Sequence, residues 1–343
     1  MTARIVLVVL IVLLIGGGLF LLFKKGDTRL GFTPSGDSSQ KLIKVRTTLA
    51  KSTPSEPQML IIKKYGLDKK NGLDIEMVDS NPGDAEREFF AGNFDIILNG
   101  ALSSFTANLK NIPIRIAAPA INQPFNVIVP KNSPIKTLSD LKNKKLATLP
   151  KITASYMSTL TVFRSAGIDP EKDMQMVFVT PDQVVGLLEK GEVDAGIVVS
   201  PLVYGILTNG KYRSIADLEK VWEQKEGLPM PFVVVAVNDN WYKDNKETTK
   251  MFIKTFYDAA EMIQKDPTVL ASLTDYLKTN HLDSKDTIDL MQKEYPALLY
   301  SKWDVKGNEG LERFYERGKE YGVIPNNVPA SDLVIINPDE LKY

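Results

Sequence analysis

The residues best suited to chemistry in this chain are small, hydroxyl and amide side chains that directly follow predicted β-strands. Small residues let the backbone approach a bound molecule, and hydroxyl and amide groups can hydrogen-bond it. Open α/β sheets hold their ligands at the carboxyl ends of the strands, so these loops are the candidate binding segments. The candidate residues are Thr48, Ser52, Thr53, Asn99, Gly100, Ala101, Ser103, Asn122, Gln123, Thr153, Ala154, Ser155, Tyr156, Ser200, Pro201 and Tyr204.

One of these segments has the features of an anion site. Thr153 and Ser155 stand at the start of a predicted helix over 155–166, and the free N–H groups of a helix start attract negative charge. The same hydroxyls are also suitable helix caps, and one residue can do both. Glu56 near the first predicted helix would oppose an anion there, so we expect the anion at 153–155.

Covalent catalysis has few candidate groups. The chain has no phosphate-binding glycine loop, no metalloprotease motif and no nucleophile elbow. It has no Cys, which excludes thiolate nucleophiles, disulfides and Cys-ligated zinc. The single His, His281, lies in a predicted helical tail, where we assign it a surface or capping role. We therefore expect a binding protein without cofactor or metal rather than an enzyme.

The elements that must position the loops include a junction that occurs twice. Gly92-Asn93-Phe94-Asp95 and Gly191-Glu192-Val193-Asp194 each follow a predicted helix and precede an apolar run. Gly adopts the left-handed conformation just past a helix end, and a continuous apolar run suits a parallel strand covered on both faces. Two such junctions about a hundred residues apart indicate two similarly built α/β lobes.

The order of predicted strands and helices places the lobes along the chain. We predict lobe I over 41–122 and 230–343, lobe II over 123–229, and two hinge strands between them. The stretch 205–231 is expected to be irregular because it contains Gly210, Gly227, Pro229 and Pro231. Later helices are predicted over 246–265, 267–279, 284–293 and 307–321. A chain of 343 residues is long enough for two separate cores.

The first forty residues have a membrane-targeting composition. Nineteen apolar or Gly residues over 5–23 can span a bilayer, so 1–25 is predicted to be an uncleaved transmembrane anchor, with a removed signal as the alternative. The stretch 26–40 is predicted to be a flexible tether. Lys24, Lys25 and Arg29 favour a cytoplasmic body, but long domains translocate largely regardless of such charges.

Four short motifs follow one another along the chain: Lys64-Tyr65-Gly66-Leu67 with Gly72-Leu73-Asp74-Ile75-Glu76, Gly92-Asn93-Phe94-Asp95, Leu138-Ser139-Asp140-Leu141-Lys142 and Gly191-Glu192-Val193-Asp194-Ala195. With these motifs the chain resembles the solute-binding proteins of ABC importers for nitrate, sulfonate and taurine, a group that includes thiamine-pyrimidine-type binders. Three positions depart from the family pattern: Asn143 replaces a Gly, Thr153-Ala154-Ser155 replaces a Gly-Ser, and Ser200 stands before Pro201 where the family often has an acidic or aromatic residue.

The resemblance implies a type II periplasmic-binding-protein fold, here preceded by an N-terminal transmembrane helix. It implies an extracytoplasmic, membrane-anchored monomer that closes on a small anionic ligand and delivers it to ABC permease subunits and their ATPase. Two alternatives are a ligand-sensing module that signals to a membrane partner and a pyrimidine-precursor binding protein. Related pyrimidine synthases need a Cys-rich motif that this chain lacks. Equal numbers of basic and acidic residues, 42 each, argue against a nucleic-acid partner.

Overall fold

The computed structural model describes residues 41–108, 110–325 and 336. The predicted anchor over 1–25 and the predicted tether over 26–40 lie outside the described residues. Within the described ranges, no helix combines the length and the apolar character needed to cross a membrane.

The first strands form a parallel pair and a three-stranded sheet. β1 and β2 pair in parallel, while β10 runs between β3 and β4 and is antiparallel to both. β1 packs beside β3, which gives the order β2-β1-β3-β10-β4. These strands are β1 (Ile43–Ala50), β2 (Leu73–Ser80), β3 (Ile96–Gly100), β4 (Ile114–Asn122) and β10 (Pro231–Asn238). The helices that connect the first four are α1 (Glu56–Tyr65), α2 (Leu67–Lys70), α3 (Pro82–Phe90) and α4 (Ala101–Asn108).

The middle of the chain forms a separate five-stranded sheet with the order β7-β6-β8-β5-β9. Its strands are β5 (Phe125–Pro130), β6 (Lys145–Thr148), β7 (Gln175–Phe178), β8 (Ala195–Val199) and β9 (Tyr212–Asp217). Its helices are α5 (Ala154–Ser165), α6 (Pro170–Asp173), α7 (Pro181–Glu189), α8 (Leu202–Thr208) and α9 (Leu218–Glu226), with a 3-10 turn at Leu138–Leu141.

The prediction that 205–231 is irregular was wrong, because this stretch contains most of α8, all of β9 and α9, and the start of β10. Gly210 and Gly227 take left-handed conformations, with φ of +78° and +72°, at the ends of regular elements. They therefore terminate short elements and do not mark a long loop. Gly205 lies within α8, and the packing there is close, because a Cβ at Gly205 would lie 3.0 Å from the His281 carbonyl oxygen.

The remainder of the chain is helical. The predicted helix over 267–279 is divided because Pro267 opens a 3-10 segment, and α12 begins only after Leu273. These elements are α10 (Asp239–Asp244), α11 (Lys246–Lys265), Pro267–Ser272, α12 (Thr274–Thr279), α13 (Lys285–Glu294), Tyr295–Leu298 and α14 (Val305–Glu320). α11 packs on α1, whereas α13 packs on α8.

The repeated junction predicted from sequence is confirmed. Gly92 and Gly191 have φ of +83° and +68°. The strands that follow them, β3 and β8, are each the middle strand in the orders β2-β1-β3-β10-β4 and β7-β6-β8-β5-β9. Asn143 also adopts the left-handed conformation, with φ of +62°. The turn therefore forms although Asn143 replaces the glycine of the family pattern.

The chain passes twice between the two strand groups, and one carboxylate contacts both crossings. The first crossing joins β4 to β5 and the second joins α9 to β10. Glu219 accepts the N–H of Gln123 in the first crossing at 3.0 Å and the N–H of Met230 in the second at 3.2 Å. Burial raises the pKa of Glu219 well above its usual value. A single buried side chain therefore links the two crossings.

Candidate ligand-binding site

The loops that end β3 and β6 meet across the two strand groups. A Cβ placed on Gly100 would lie only 2.4 Å from the Cβ of Ala154, so only glycine fits at this contact. Ala154 opens α5, which packs against α4 on one side of the contact and against α14 nearby. The structure therefore brings together two loops that the sequence predicted to belong to one site.

The start of α5 has the cap predicted for it. Thr153 Oγ1 accepts the N–H of Tyr156 at 3.1 Å and donates to the Pro150 carbonyl at 2.8 Å. Ser155, the second residue of α5, is half-buried. These contacts give Thr153 the capping role, and contact with a ligand remains a prediction for 153–155.

Tyr156 is held by its own part of the chain. Its hydroxyl donates to Glu171 Oε1 at 2.9 Å, and its ring packs edge-on against Phe178. Burial, followed by the hydrogen bond to Glu171, raises the pKa of Tyr156. The hydroxyl of this candidate residue is therefore already satisfied by a protein carboxylate.

The loop after β1 is organised by Glu56. The Ser52 N–H donates to Glu56 Oε2 at 2.6 Å, which holds Ser52 at a φ of +57°, and Thr53 Oγ1 donates to the Ala50 carbonyl at 2.8 Å. Glu56 is only 5 % exposed, and burial raises its pKa against the opposing effects of the Ser52 N–H and Lys51. Thr48, on β1 itself, is buried.

A second carboxyl lies beside the loop after β3. Asn99 Nδ2 donates to Ser104 Oγ at 3.1 Å, and Ser103 and Ala101 are buried. Burial raises the pKa of Glu86 on α3, while Ser103 and Asn99 act in the opposite direction. The sequence analysis missed Glu86, because a glutamate within a helical pattern carries no signal of what its side chain faces.

The first crossing borders a cavity of about 410 Å³ that contains four candidate residues: Asn122, Gln123, Ser200 and Tyr204. Pro201 follows Ser200, is buried and precedes α8. The ionisable groups in the lining are mainly acidic: Asp217, Glu219, Glu223 and Glu294 against Lys220.

Buried polar atoms without a hydrogen-bond partner occur at strand ends in both strand groups. Within the part of the chain that the structure describes, such atoms include Ser80 Oγ, Asn122 Oδ1 and Thr148 Oγ1 at the ends of β2, β4 and β6, Gln123 Nε2 in the first crossing and Tyr276 Oη on α12. Buried polar atoms are nearly always paired in native proteins, so those at strand ends are candidate contacts for a ligand. Neither Thr148 nor Tyr276 carries a sequence signal that marks it as a site residue.

The described residues contain no group of three His, Asp or Glu side chains arranged to hold a metal ion. The arrangement supplies hydrogen bonds and charge to a bound molecule.

Solved structures of similar proteins establish the fold of the chain. The periplasmic aliphatic sulphonate binding protein SsuA from Escherichia coli matches with a TM-score of 0.68 at 18 % identity, covering 85 % of this chain and 91 % of that one. The alkanesulfonate-binding protein SsuA from Xanthomonas axonopodis pv. citri, bound to MOPS, also matches with a TM-score of 0.68, at 15 % identity over 86 % and 98 % of the two chains. The chain therefore has the α/β periplasmic-binding-protein fold, as the sequence predicted.

The family follows from the sequence match. Residues 59–269 match the model described as NMT1/THI5 like, which is more than half of the chain, and the chain belongs to this family. The resemblance described from the motifs is thereby confirmed.

Two curated relatives illustrate the range of the family. The yeast 4-amino-5-hydroxymethyl-2-methylpyrimidine phosphate synthase THI13 from Saccharomyces cerevisiae is 25 % identical over 225 residues, which are 63 % of this chain and 65 % of that protein, just under two thirds of its length. The taurine-binding periplasmic protein of Escherichia coli is 25 % identical over 228 residues, 66 % of this chain and 68 % of that one.

Proposed function

We propose that this protein is the extracytoplasmic solute-binding component of an ABC importer. In this proposal 41–122 and 230–343 form lobe I, 123–229 form lobe II, and the two crossings tied by Glu219 act as the hinge. The names of the E. coli taurine-binding and aliphatic sulphonate binding relatives support this class of function. The transmembrane anchor, the permease and ATPase partners and the monomeric state are parts of the same proposal.

The observation that carries the proposal is the set of unpartnered polar atoms contributed by both strand groups. Asn122 Oδ1 at the end of β4, in lobe I, and Thr148 Oγ1 at the end of β6, in lobe II, are buried without partners in the described chain, and leaving a buried polar group unpaired costs about 1–3 kcal/mol. A ligand that pairs with them is bound best when the lobes are together. Binding therefore shifts the population towards the closed form.

The contact between Gly100 and Ala154 sets how far the lobes can close. Because a Cβ at Gly100 would overlap the Ala154 side chain, the two loops reach this separation only with glycine at that position. We assign Gly100 the role of permitting closure.

The anionic part of the ligand belongs at the start of α5. Thr153 satisfies one N–H of the first turn, and the remaining N–H groups of a helix start, together with the helix dipole, favour a sulfonate, nitrate or carboxylate. The other first-turn position of this kind, at α1, is occupied by Glu56. The anion is therefore expected on lobe II.

A pyrimidine precursor is the second candidate ligand. The support for it is the similarity to the yeast pyrimidine phosphate synthase. We propose binding and release of the unchanged molecule, because the chain has no Cys and only one His.

A thermal-shift panel tests the proposal. The full chain is heated with alkanesulfonates, taurine, nitrate, small carboxylates and aminopyrimidines, and each ligand is recovered for mass analysis. A ligand present at a hundred times its dissociation constant should stabilise the protein by about 2.7 kcal/mol and be recovered unchanged.

The matched control is Gly100→Val, which should lose the shift in melting temperature because the loops that end β3 and β6 cannot meet. A ligand recovered as a new compound would favour an enzyme, and a flat panel would contradict the importer assignment.

A further inference from the structure

Exposed lysines gather at one end of the first strand pair, in an area that we call the lysine patch. The strands β1 and β2 are parallel and start side by side, since the Ile43 N–H donates to the Gly72 carbonyl at 3.0 Å. The end of α1 and the whole of α2 directly precede Gly72 along the chain. The patch therefore combines lysines from both strand starts and from these helices: Lys41, Lys44, Lys63, Lys64, Lys69 and Lys70, all exposed.

One carboxylate, that of Asp74, lies beside three of the lysines. Asp74 is opposite Lys44 in the register of β1 and β2, and it forms an ion pair with Lys69. The hydrogen bond from Lys69 and, against desolvation, the charges of Lys69, Lys44 and Lys63 lower the pKa of Asp74. The lysines of the two strand starts and the two helices therefore form one surface.

The acidic residues of this surface do not balance its lysines. Asp74 is already paired with Lys69. Asp68 is only 2 % exposed, and its Oδ2 accepts the Ile75 N–H at 3.3 Å. Asp258 on the neighbouring α11 is paired with Lys254 at 2.6 Å.

Several patch lysines have no acidic partner. Among the described residues, Lys44, Lys63 and Lys70 take part in no ion pair, and Lys64 Nζ donates to the Ser272 carbonyl at 2.5 Å. The whole chain has equal numbers of basic and acidic residues, 42 each. The positive charge of the patch is therefore a local excess.

Two large apolar side chains lie exposed among the lysines. Ile43 and Tyr65 are each 43 % exposed, and Tyr65 Oη lies 3.5 Å from Ser272 Oγ. Tyrosine is enriched at the level of lipid headgroups in membranes, and lysine can lay its aliphatic stem on an apolar surface while its ammonium stays in water. This mixture of side chains suits a surface that rests on headgroups.

The patch also contains the point at which the described chain begins. Lys41 is its first residue, and 17 residues, 24–40, separate it from the apolar run over 5–23. A fully extended chain of that length spans at most about 60 Å. A bilayer that held 5–23 would therefore be within reach of the patch, and basic residues close to a membrane are attracted to anionic lipids.

The patch and the candidate ligand loops lie at opposite ends of β1. The strand runs from Ile43 in the patch to Ala50, and the candidate residues Ser52 and Thr53 follow it. We propose that the lysine patch binds the anionic headgroups of the membrane that holds the anchor. This inference rests on the anchor of the proposed function. The body then rests on the bilayer with its ligand loops turned towards the solution, where they can collect solute.

Collision accessibility of a spin label tests the inference on the full chain in vesicles. The chain has no Cys, so Lys70→Cys gives a single label inside the patch and Lys190→Cys a single label on proposed lobe II, both at exposed positions. Oxygen concentrates in the bilayer, whereas a nickel chelate stays in water. We expect vesicles of phosphatidylcholine and phosphatidylglycerol to protect the Lys70→Cys label from nickel, and vesicles of phosphatidylcholine alone to leave it accessible. The Lys190→Cys label should stay accessible in both.

Salt and matched charge reversals separate patch binding from general attraction. About 1 M salt, which screens charges beyond about 3 Å, should remove the protection. Lys44→Glu with Lys63→Glu should lower the ratio of docked to undocked label by at least about 25-fold, because each basic residue near an anionic surface contributes a factor of about five. Lys225→Glu with Lys278→Glu changes the net charge equally at exposed positions outside the patch and should leave the ratio unchanged.

Flotation of the chain with vesicles in a density gradient reports on the anchor separately. If the chain floats with both kinds of vesicle while the Lys70→Cys label stays open to nickel, or if both charge reversals release the label equally, the inference is overturned and the anchor stands. If the chain floats only with the anionic vesicles and the label is protected, the patch binds lipid and the anchor fails. If it floats with neither, the inference and the anchor both fail, and solute binding is judged by the thermal-shift panel.

Discussion

Replacing Tyr276 and Tyr295 by Phe, one at a time, should change stability in opposite directions. Tyr276 Oη is buried without a partner in the described chain, so Tyr276→Phe removes an unsatisfied group and should stabilise the ligand-free protein by zero to about 1 kcal/mol. Tyr295 Oη donates to the buried Pro54 carbonyl. Tyr295→Phe leaves that carbonyl unpaired and should destabilise the protein by about 1–3 kcal/mol.

Chemical denaturation of the ligand-free full chain measures both changes, and thermal scans check them. With an unfolding entropy of about 2.1 cal/mol/K per residue, 1 kcal/mol corresponds to about 1.5 °C in a chain of this length. Tyr276→Phe should therefore melt at or slightly above the wild-type temperature, and Tyr295→Phe several degrees below it. The reasoning is refuted if the two variants lose equal stability, because the Tyr276 hydroxyl would then be satisfied without ligand.

Three further predictions concern the hinge, the closing contact and the helix start. Burial raises the pKa of Glu219 above its usual value of 4.5, so the native state holds the carboxyl proton more tightly than the unfolded state does. The free energy of unfolding should therefore fall as pH rises from 4.5 to the raised pKa of the folded protein. Denaturation curves at several pH values should show that the free energy of unfolding of Glu219→Gln no longer falls over this pH range. An unchanged dependence on pH would contradict a raised pKa at Glu219. Gly100→Ala should weaken ligand binding at least tenfold because its Cβ would overlap Ala154, with little change in the ligand-free melting temperature; unchanged affinity would show that this contact does not limit closure. Thr153→Val should cost about 1 kcal/mol of stability through the lost cap and weaken anionic probes more than neutral ones in calorimetry, whereas an equal loss for both would argue against an anion at α5.

Much of the architecture could be predicted because it depends on local signals. The glycine-and-aspartate junctions before β3 and β8 are short-range patterns of helix end and buried strand, and the alternation of strands and helices follows from periodicity. The failure at 205–231 has a local cause as well. Gly and Pro punctuate short elements as readily as they form loops, and sequence alone does not distinguish the two.

The site was less predictable because its decisive features are long-range. Loops at strand ends could be selected by topology, and the meeting of Gly100 with Ala154 agrees with that selection. Tyr295 reaches the Pro54 carbonyl in the loop after β1 only through the packing of the C-terminal helices, 241 residues further along the chain. No periodicity in α12 distinguishes a tyrosine that fills the core from one whose hydroxyl has no partner.

Capture of a small solute by closure of two lobes is tested most directly by a distance measurement. The chain has no Cys, so Lys70→Cys and Lys190→Cys, both at exposed positions, introduce the only thiols for spin labels on the two proposed lobes. Pulsed electron paramagnetic resonance then gives the label separation without ligand and with a saturating amount of the tightest binder from the panel. The account predicts that ligand converts a broad distribution into a narrow one at a different distance. An identical distribution in both samples, with binding verified in the same tube, would contradict it.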